Sequence, residues 1–303
     1  MSILILGTEK DAHARQVYHA LEAKKIQAYF VDTAEFPTKV QLSWQPKLQQ
    51  GVLTLSSGEV ISTEKIQSVY WRSFRSANPA NSGNEYQNKL ARRDCETMLR
   101  TFLQLPHIQW VNSWEAYQFH REKPLQLYTV HQLGVPIPKT LVGNDAASIQ
   151  TFAATHEKVI FKPLYGGAHS QFLTAAHLLP GHLDQALKIS PVTLQNYIAG
   201  TNIRVYVIGS RVFALEIKSE TLDFRDDKNH QLLPIQLPKK IQQQSIAIAH
   251  KLHLKWTAID WRRQPDDTYV FLEANPSPMF LKVEAVTKFP ITEALVEVLT
   301  QSQ

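Results

Sequence analysis

The chain has 303 residues, 44% apolar and 19% charged, with 32 basic against 27 acidic side chains and a formal net charge of +5. This is the make-up of a globular protein of two or three domains, and it excludes a wholly disordered chain, a collagen and a coiled coil. No run approaches the ~18 apolar residues of a membrane span. The opening segment, 1–10, lacks a basic lead and a small-residue cleavage site, so it is expected to be a first strand and not a signal peptide. A single cysteine, Cys95, excludes an internal disulfide and points to a reducing compartment, the cytoplasm. The positive balance admits an anionic partner. No basic cluster interleaved with aromatics favours nucleic acid.

In chain order, strands at 3–6 and 27–32 flank a helix over 11–25, a βαβ opening that usually builds a parallel sheet. Short β-like runs follow near 40–44, 52–56 and 60–61, then a strand at 68–72. A polar loop over 76–84, rich in Pro, Gly, Asn and Ser, precedes an amphipathic helix over 85–105. A strand at 110–113 ends in a helix N-cap signal. The character changes near 113, with a helix over 121–133, strands at 140–142 and 159–162, and a helix over 145–156 between them. The loop 165–170, carrying Gly166 and Gly167, leads to a strand at 171–174. A second boundary falls near 190. The last third holds two hairpins, 202–218 turning at Gly209-Ser210 and 257–275 turning near 265–267. Between them lie a polar loop, 221–236, and a helix over 239–253. A helix over 291–300 closes the chain. A parallel opening followed by antiparallel sheets gives α/β followed by α+β, divided as 1–112, 113–190 and 191–303.

The second hairpin carries the chemistry. If Asp266 and Asp267 are its two loop residues, Asp260 lies opposite Glu273, and Asn275 shares their face. Facing carboxylates repel unless something sits between them. Two carboxylates and an amide suit Mg²⁺ or Mn²⁺ and not zinc, with phosphates supplying further ligands. The competing reading is a solvated sheet edge with the register displaced by one. A triphosphate also needs protein cations, for which Lys123, Lys162 and Arg204 are candidates. Lys162 ends an apolar strand before the Gly166-Gly167 loop, where an ammonium and backbone N–H groups can meet phosphates, although a surface lysine is the commoner outcome. Arg204 shares a face with Tyr206, with Val205 and Val207 opposite, and is either a phosphate clamp or a solvated end. Cys95, on a helix with no nearby histidine, reads as packing.

Taken together, these segments resemble the ATP-grasp ligase superfamily along the full length of the chain. The motifs are REKPLQL (121–127) with Lys123, VIFKPLYGG (159–167) with Lys162, NIRVYVIG (202–209) with Arg204, AIDWR (258–262) with Asp260, and FLEANPS (271–277) with Glu273 and Asn275. The resemblance implies three lobes, with ATP clamped between the central and C-terminal domains. It also implies an inter-domain hinge at Gln195, Asn196, Tyr197 and Ile198. More narrowly, VDTAEFPTKV (31–40), SVYWRSFR (68–75), DFR (223–225) and YVFLEANP with the closing FPITEAL are similar to the macrocyclising peptide ligases of microviridin-type (graspetide) biosynthesis. The chain departs from that pattern at Ser73, Asn202 and Ser277-Pro278.

That likeness implies an ATP-dependent ligase working through an acyl phosphate, joining Asp or Glu side chains of an acidic precursor peptide to an alcohol or amine. Asp223 and Arg225 would engage the carboxylate being activated, with Arg204 beside the phosphates. Arg72 and Arg75 would contact substrate. The expected cofactors are ATP and Mg²⁺ or Mn²⁺, and a homodimer is left open. Two alternatives stand beside it: an amino-acid (glutamate-type) ligase on a peptide or small carboxylate, and a catalytically silent nucleotide-binding module.

Overall fold

The apolar opening strand, β1 (Ser2–Leu6), is buried at every position and forms the centre of a parallel sheet. The computed structural model describes residues 2–165, 169–219, 221, 227 and 229–301. These residues form two compact units. One comprises 1–116, 253–256 and 277–303, and the other 117–252 and 257–276. The expected division at 112 and 190 does not coincide with them: 117–190 and most of 191–276 share one unit, and the chain end from Ser277 belongs with the first.

In the first unit, α1 (Ala12–Ala23) connects β1 to β2 (Ala28–Val31). Asp11 caps α1, its carboxylate accepting from the His13 and Ala14 N–H groups. A small antiparallel sheet, β3 (Gln41–Gln45), β4 (Gln50–Thr54) and β5 (Val60–Ser62), follows. The chain then returns as β6 (Ile66–Trp71), runs through α2 (Glu85–Phe102) and adds β7 (Gln109–Val111), giving the order β2-β1-β6-β7. The β1–β2, β1–β6 and β6–β7 pairings are all parallel, as the βαβ pattern predicts.

The helix predicted over 121–133 is α4 (Lys123–His131), with Pro124 in its first turn, and a separate unpredicted helix, α3 (Trp114–Arg121), precedes it. Proline's fixed φ and missing N–H suit a fresh helix start and not a helix interior. In the second unit, β8 (Thr140–Gly143), β9 (Val159–Lys162), β10 (Gln171–Phe172) and β11 (Val192–Asn196) form an antiparallel sheet in the order β10-β9-β11-β8. Helices α5 (Ala146–Ala154) and α6 (Pro180–Ile189) contribute Ile149, Leu183 and Leu187 to a core with Val159 and Leu194.

The second sheet of this unit comprises β12 (Thr201–Ile208), β13 (Arg211–Lys218), β14 (Gln231–Pro234), β15 (Trp256–Arg263) and β16 (Tyr269–Asn275), ordered β14-β13-β12-β15-β16. Helix α7 (Lys239–Lys251) packs against β12. Strand β14, helix α6 and helix α8 (Leu281–Thr287) were not expected from the sequence. The closing helix α9 (Ile291–Thr300) lies where it was predicted and packs on α1 and β6. Among the described residues, no helix is long and apolar enough to cross a membrane.

The chain passes from β11 to β12 through Gly200, whose φ is +136°. A Cβ there would stand 2.1 Å from the Arg263 carbonyl oxygen. Gly200→Ala is therefore expected to destabilise the protein by about 2–4 kcal/mol, read as a lower urea midpoint with unchanged slope.

Candidate active site

The ladder between β15 and β16 places Asp260 directly opposite Glu273, and Ala258 opposite Asn275. The route to that register differs from the expected one. The turn uses three residues, Pro265 to Asp267, closed by the Gln264 N–H donating to the Thr268 carbonyl, with Asp267 at φ +60°. That offset is cancelled by a bulge, since Trp261 pairs with Phe271 while Asp260 pairs with Glu273. The first hairpin matches its expectation: Ile208 pairs with Arg211 across Gly209-Ser210, and Gly209 has φ +57°.

Neither carboxylate is left facing the other alone. Arg204, on β12, engages Asp260 in a bidentate ion pair, Nε to Oδ1 at 2.8 Å and Nη2 to Oδ2 at 2.8 Å. Both side chains keep only 18% of their exposure. Burial alone would lower the Arg204 pKa, but the charge and hydrogen bonds of Asp260 carry it well above the ordinary guanidinium value. Arg204 also hydrogen-bonds the buried Tyr206, as their shared face requires.

Glu273 is paired by Lys123, the first residue of α4, at 2.6 Å. Burial would raise the Glu273 pKa. The Lys123 charge and hydrogen bond, followed by the charges of Lys162 and His120, reverse that and hold the carboxyl below its usual range. Lys162 ends β9, opposite Thr193, and is half-buried. Burial pushes its ammonium down, Glu273 opposes the shift and Lys123 adds to it. Lys123, Lys162 and Glu273 thus share one electrostatic neighbourhood, and the solvated-edge reading does not hold.

The expected hinge residues span the end of β11 and the two residues after it. Gln195 is buried and donates from Nε2 to the Thr140 hydroxyl at 3.0 Å. The Asn196 side chain accepts from the Lys139 N–H at 2.7 Å. Arg262 pins the next two residues, donating to the Ile198 carbonyl at 2.9 Å and to the Tyr197 hydroxyl at 3.1 Å while reaching Asn202 at 2.6 Å. Sequence reasoning missed Arg262, whose only signal was an arginine two residues after Asp260 on the same strand face. It also missed His120, half-buried in α3, whose pKa is lowered by burial and by Lys123 and which hydrogen-bonds the Ala274 backbone. Gln126 is the third omission. It is 2% exposed, and its side chain pairs with both the N–H and the C=O of Ala274.

Gly166, Gly167, Asp223 and Arg225 lie outside the described residues. Arg72 and Arg75 belong to the other unit. The Arg72 guanidinium, 9% exposed, donates to Asp11 at 3.0 Å and to the Ser277 carbonyl and hydroxyl, both at 2.7 Å. Arg75, 55% exposed, pairs with Asp32. Cys95 is partly buried in α2.

Asp260, Glu273 and Asn275 supply two carboxylates and an amide from one sheet face, a donor set that fits a hard divalent cation. Among the described residues, no group of three or more His, Cys, Asp or Glu side chains could hold a metal, so this set depends on the amide and on oxygens from a ligand.

Comparison with known proteins identifies the family to which the fold belongs. The family described as RimK-like ATP-grasp domain matches residues 121–299, and the MvdD pre-ATP grasp domain matches residues 2–118. None of the curated proteins matches the chain. Among solved structures, the chain is similar to ATP-grasp ligase PsnB complexed with a phosphomimetic variant of its minimal precursor, Mg and ADP. That match has 28% identity and a TM-score of 0.83, covering 99% of this chain and 97% of that one. It is also similar to macrocyclase MdnC of Microcystis aeruginosa MRC bound with precursor peptide MdnA, at 25% identity and a TM-score of 0.86 over 100% of both chains. A RiPP-associated ATP-grasp ligase of Chryseobacterium gregarium shares the fold at 23% identity and a TM-score of 0.85, over 99% of this chain and 96% of that one.

The Lys123–Glu273 pair sets a pH signature. A carboxyl held below its ordinary value of 4.5 contributes stability that is complete above that value and lost as pH falls through the lowered one. Lys123→Met is expected to cost about 1–2 kcal/mol near neutral pH, after discounting for the third of Glu273 that water screens. The gap from the parent protein should shrink towards about pH 3. Urea unfolding of both proteins across that range checks the sign.

Proposed function

Because the chain belongs to the RimK-like ATP-grasp family, we propose that it is an ATP-dependent ligase that activates carboxylates of a precursor peptide and joins them to an alcohol or amine. The observation that carries this reading is the Asp260–Glu273 pair held between Arg204 and Lys123, with Lys162 beside it. The neighbours support the substrate class: PsnB is complexed with a precursor together with Mg and ADP, and MdnC is a macrocyclase bound with its precursor peptide.

A carboxylate does not condense with an alcohol or amine at neutral pH, because the oxygen that must leave is a poor leaving group. The substrate carboxylate first takes the γ-phosphoryl of ATP, releasing ADP. The nucleophile then attacks the acyl phosphate, loses its proton and expels phosphate. Such transfers depend on positioning and charge stabilisation. Lys123, Lys162 and Arg204 offset the negative charge that builds on the phosphates. Asp260, Glu273 and Asn275 would hold Mg²⁺, which when bound neutralises phosphate charge; Mn²⁺ suits the same oxygens. Gln195, Asn196, Tyr197 and Ile198 form the nucleotide side of the hinge, and Gly166 and Gly167 are assigned to phosphate binding. Arg225 is assigned to grip the carboxylate, and Asp223 to orient Arg225 or take the nucleophile's proton. Arg75 meets the acidic peptide more readily than Arg72, which is built into its own unit.

Three lobes, a cytoplasmic setting and an acidic peptide partner complete the reading, and a homodimer is compatible with it. The test is incubation with ATP, Mg²⁺ and an acidic peptide encoded beside the gene. Mass spectrometry should show the loss of one water per crosslink, with ADP formed. Asp260→Ala and Glu273→Ala should each lower the rate at least 100-fold, on the order of 3 kcal/mol in barrier. A mass gain would instead indicate amino-acid addition, and turnover unaffected by both variants would exclude this site.

A further inference from the structure

Strand β16 is an edge strand, so every second peptide along it points away from β15 and needs another partner. At Ala274, between Glu273 and Asn275, the partners are side chains, with His120 also hydrogen-bonding the backbone there. Gln126 Nε2 donates to the Ala274 carbonyl at 3.0 Å, and Gln126 Oε1 accepts from the Ala274 N–H at 2.8 Å. The amide thus copies the two hydrogen bonds a further strand would make. Gln126 is 2% exposed and follows Lys123 by three residues on α4, so both face the strand, Lys123 reading the Glu273 carboxylate and Gln126 the adjoining peptide. On the opposite side, the Thr257 hydroxyl donates to the Asn275 carbonyl at 2.8 Å.

We propose that Gln126 is a positioning residue that fixes the peptide joining Glu273 to Asn275, so that both side chains present their oxygens to the cation of the ATP complex. The inference rests on the reading of Asp260, Glu273 and Asn275 as the cation's ligands. Groups that orient ligands typically contribute 10–100-fold to metal affinity. An edge-capping role alone would alter stability without altering the response to metal.

The two roles separate in nucleotide binding. ADP affinity is measured by titration calorimetry without metal and across a Mg²⁺ series, for the parent protein, Gln126→Met, Gln126→Asn and Glu273→Gln, with folding checked by circular dichroism. Gln126→Met should keep its metal-free ADP affinity within about twofold while the Mg²⁺ concentration for half-maximal effect rises about 10-fold or more. Gln126→Asn, with both polar groups on a shorter stem, should fall between it and the parent. If Gln126→Met does not fold, Gln126→Asn decides alone. A folded variant with the parent's Mg²⁺ response overturns the proposal, as does failure of both variants to fold, which assigns Gln126 to the sheet edge alone. If Glu273→Gln also keeps the parent response, the ligand set itself is wrong, and that outcome is distinct from an error about Gln126.

Discussion

Two carboxylates face each other across one rung of an antiparallel ladder, and much of the second unit is arranged around that fact. At a separation of about 5 Å and an effective dielectric of about 20, their repulsion is on the order of 3 kcal/mol. The fold answers with a separate cation for each. Arg204 comes from the adjacent strand of the same sheet, so its position is set by the β12–β15 pairing. Lys123 comes from outside the sheet, at the start of a helix that lies along the edge strand. The first pair is bidentate, and the second is a single contact that leaves one third of the Glu273 side chain exposed. An incoming ligand therefore meets a fixed charge pair on one side and a more accessible one on the other.

On the proposed reading, the charge count bears on whether such a site would take its nucleotide with a metal. Lys123, Lys162 and Arg204 give three positive charges, and Asp260 and Glu273 take away two, so a surplus of one remains. One positive charge cannot match a triphosphate. A divalent cation held by the two carboxylates would free part of the lysine and arginine charge for the phosphates and would remove the repulsion across the ladder. The downward push on the Lys162 pKa follows from the same crowding, because its burial and the Lys123 charge act together against a single nearby carboxylate.

The sequence carried the strands of this site more faithfully than its turn or its edge. Alternation of apolar and polar residues located both hairpins, and the facing of Asp260 with Glu273 was legible from it. Yet a three-residue turn was read as a two-residue one, and only the one-residue bulge at Leu272 restores the register. No local pattern distinguishes those compensating shifts, since Asp267 in the left-handed region and an extra Leu272 each look ordinary alone. Strand β14 was hidden in a polar segment because it is a short edge strand, and its Leu232 is buried by pairing with Ile217 and not by a pattern of its own. Arg262 was legible as a charge and illegible as a clamp, because its partners lie about 60 residues away.

Long-range side-chain amides show the same limit. Asn112, fully buried in the first unit, accepts from the Lys255 and Trp256 N–H groups and donates to the Trp256 carbonyl. Gln126 does the equivalent for Ala274 in the second unit. Each replaces a missing strand neighbour, and each would be expensive to replace by an apolar residue that left the peptide unpaired. For Gln126, the fit also depends on the phase of α4. Three residues advance a helix by about 4.5 Å, and one residue advances a strand by about 3.3 Å, so Lys123 and Gln126 can address neighbouring groups on β16 when helix and strand run obliquely. The phase is set at the break after Arg121, where Pro124 starts a new helix instead of extending α3. The helix start at Lys123, two residues later than expected, gives Lys123 and Gln126 their common address.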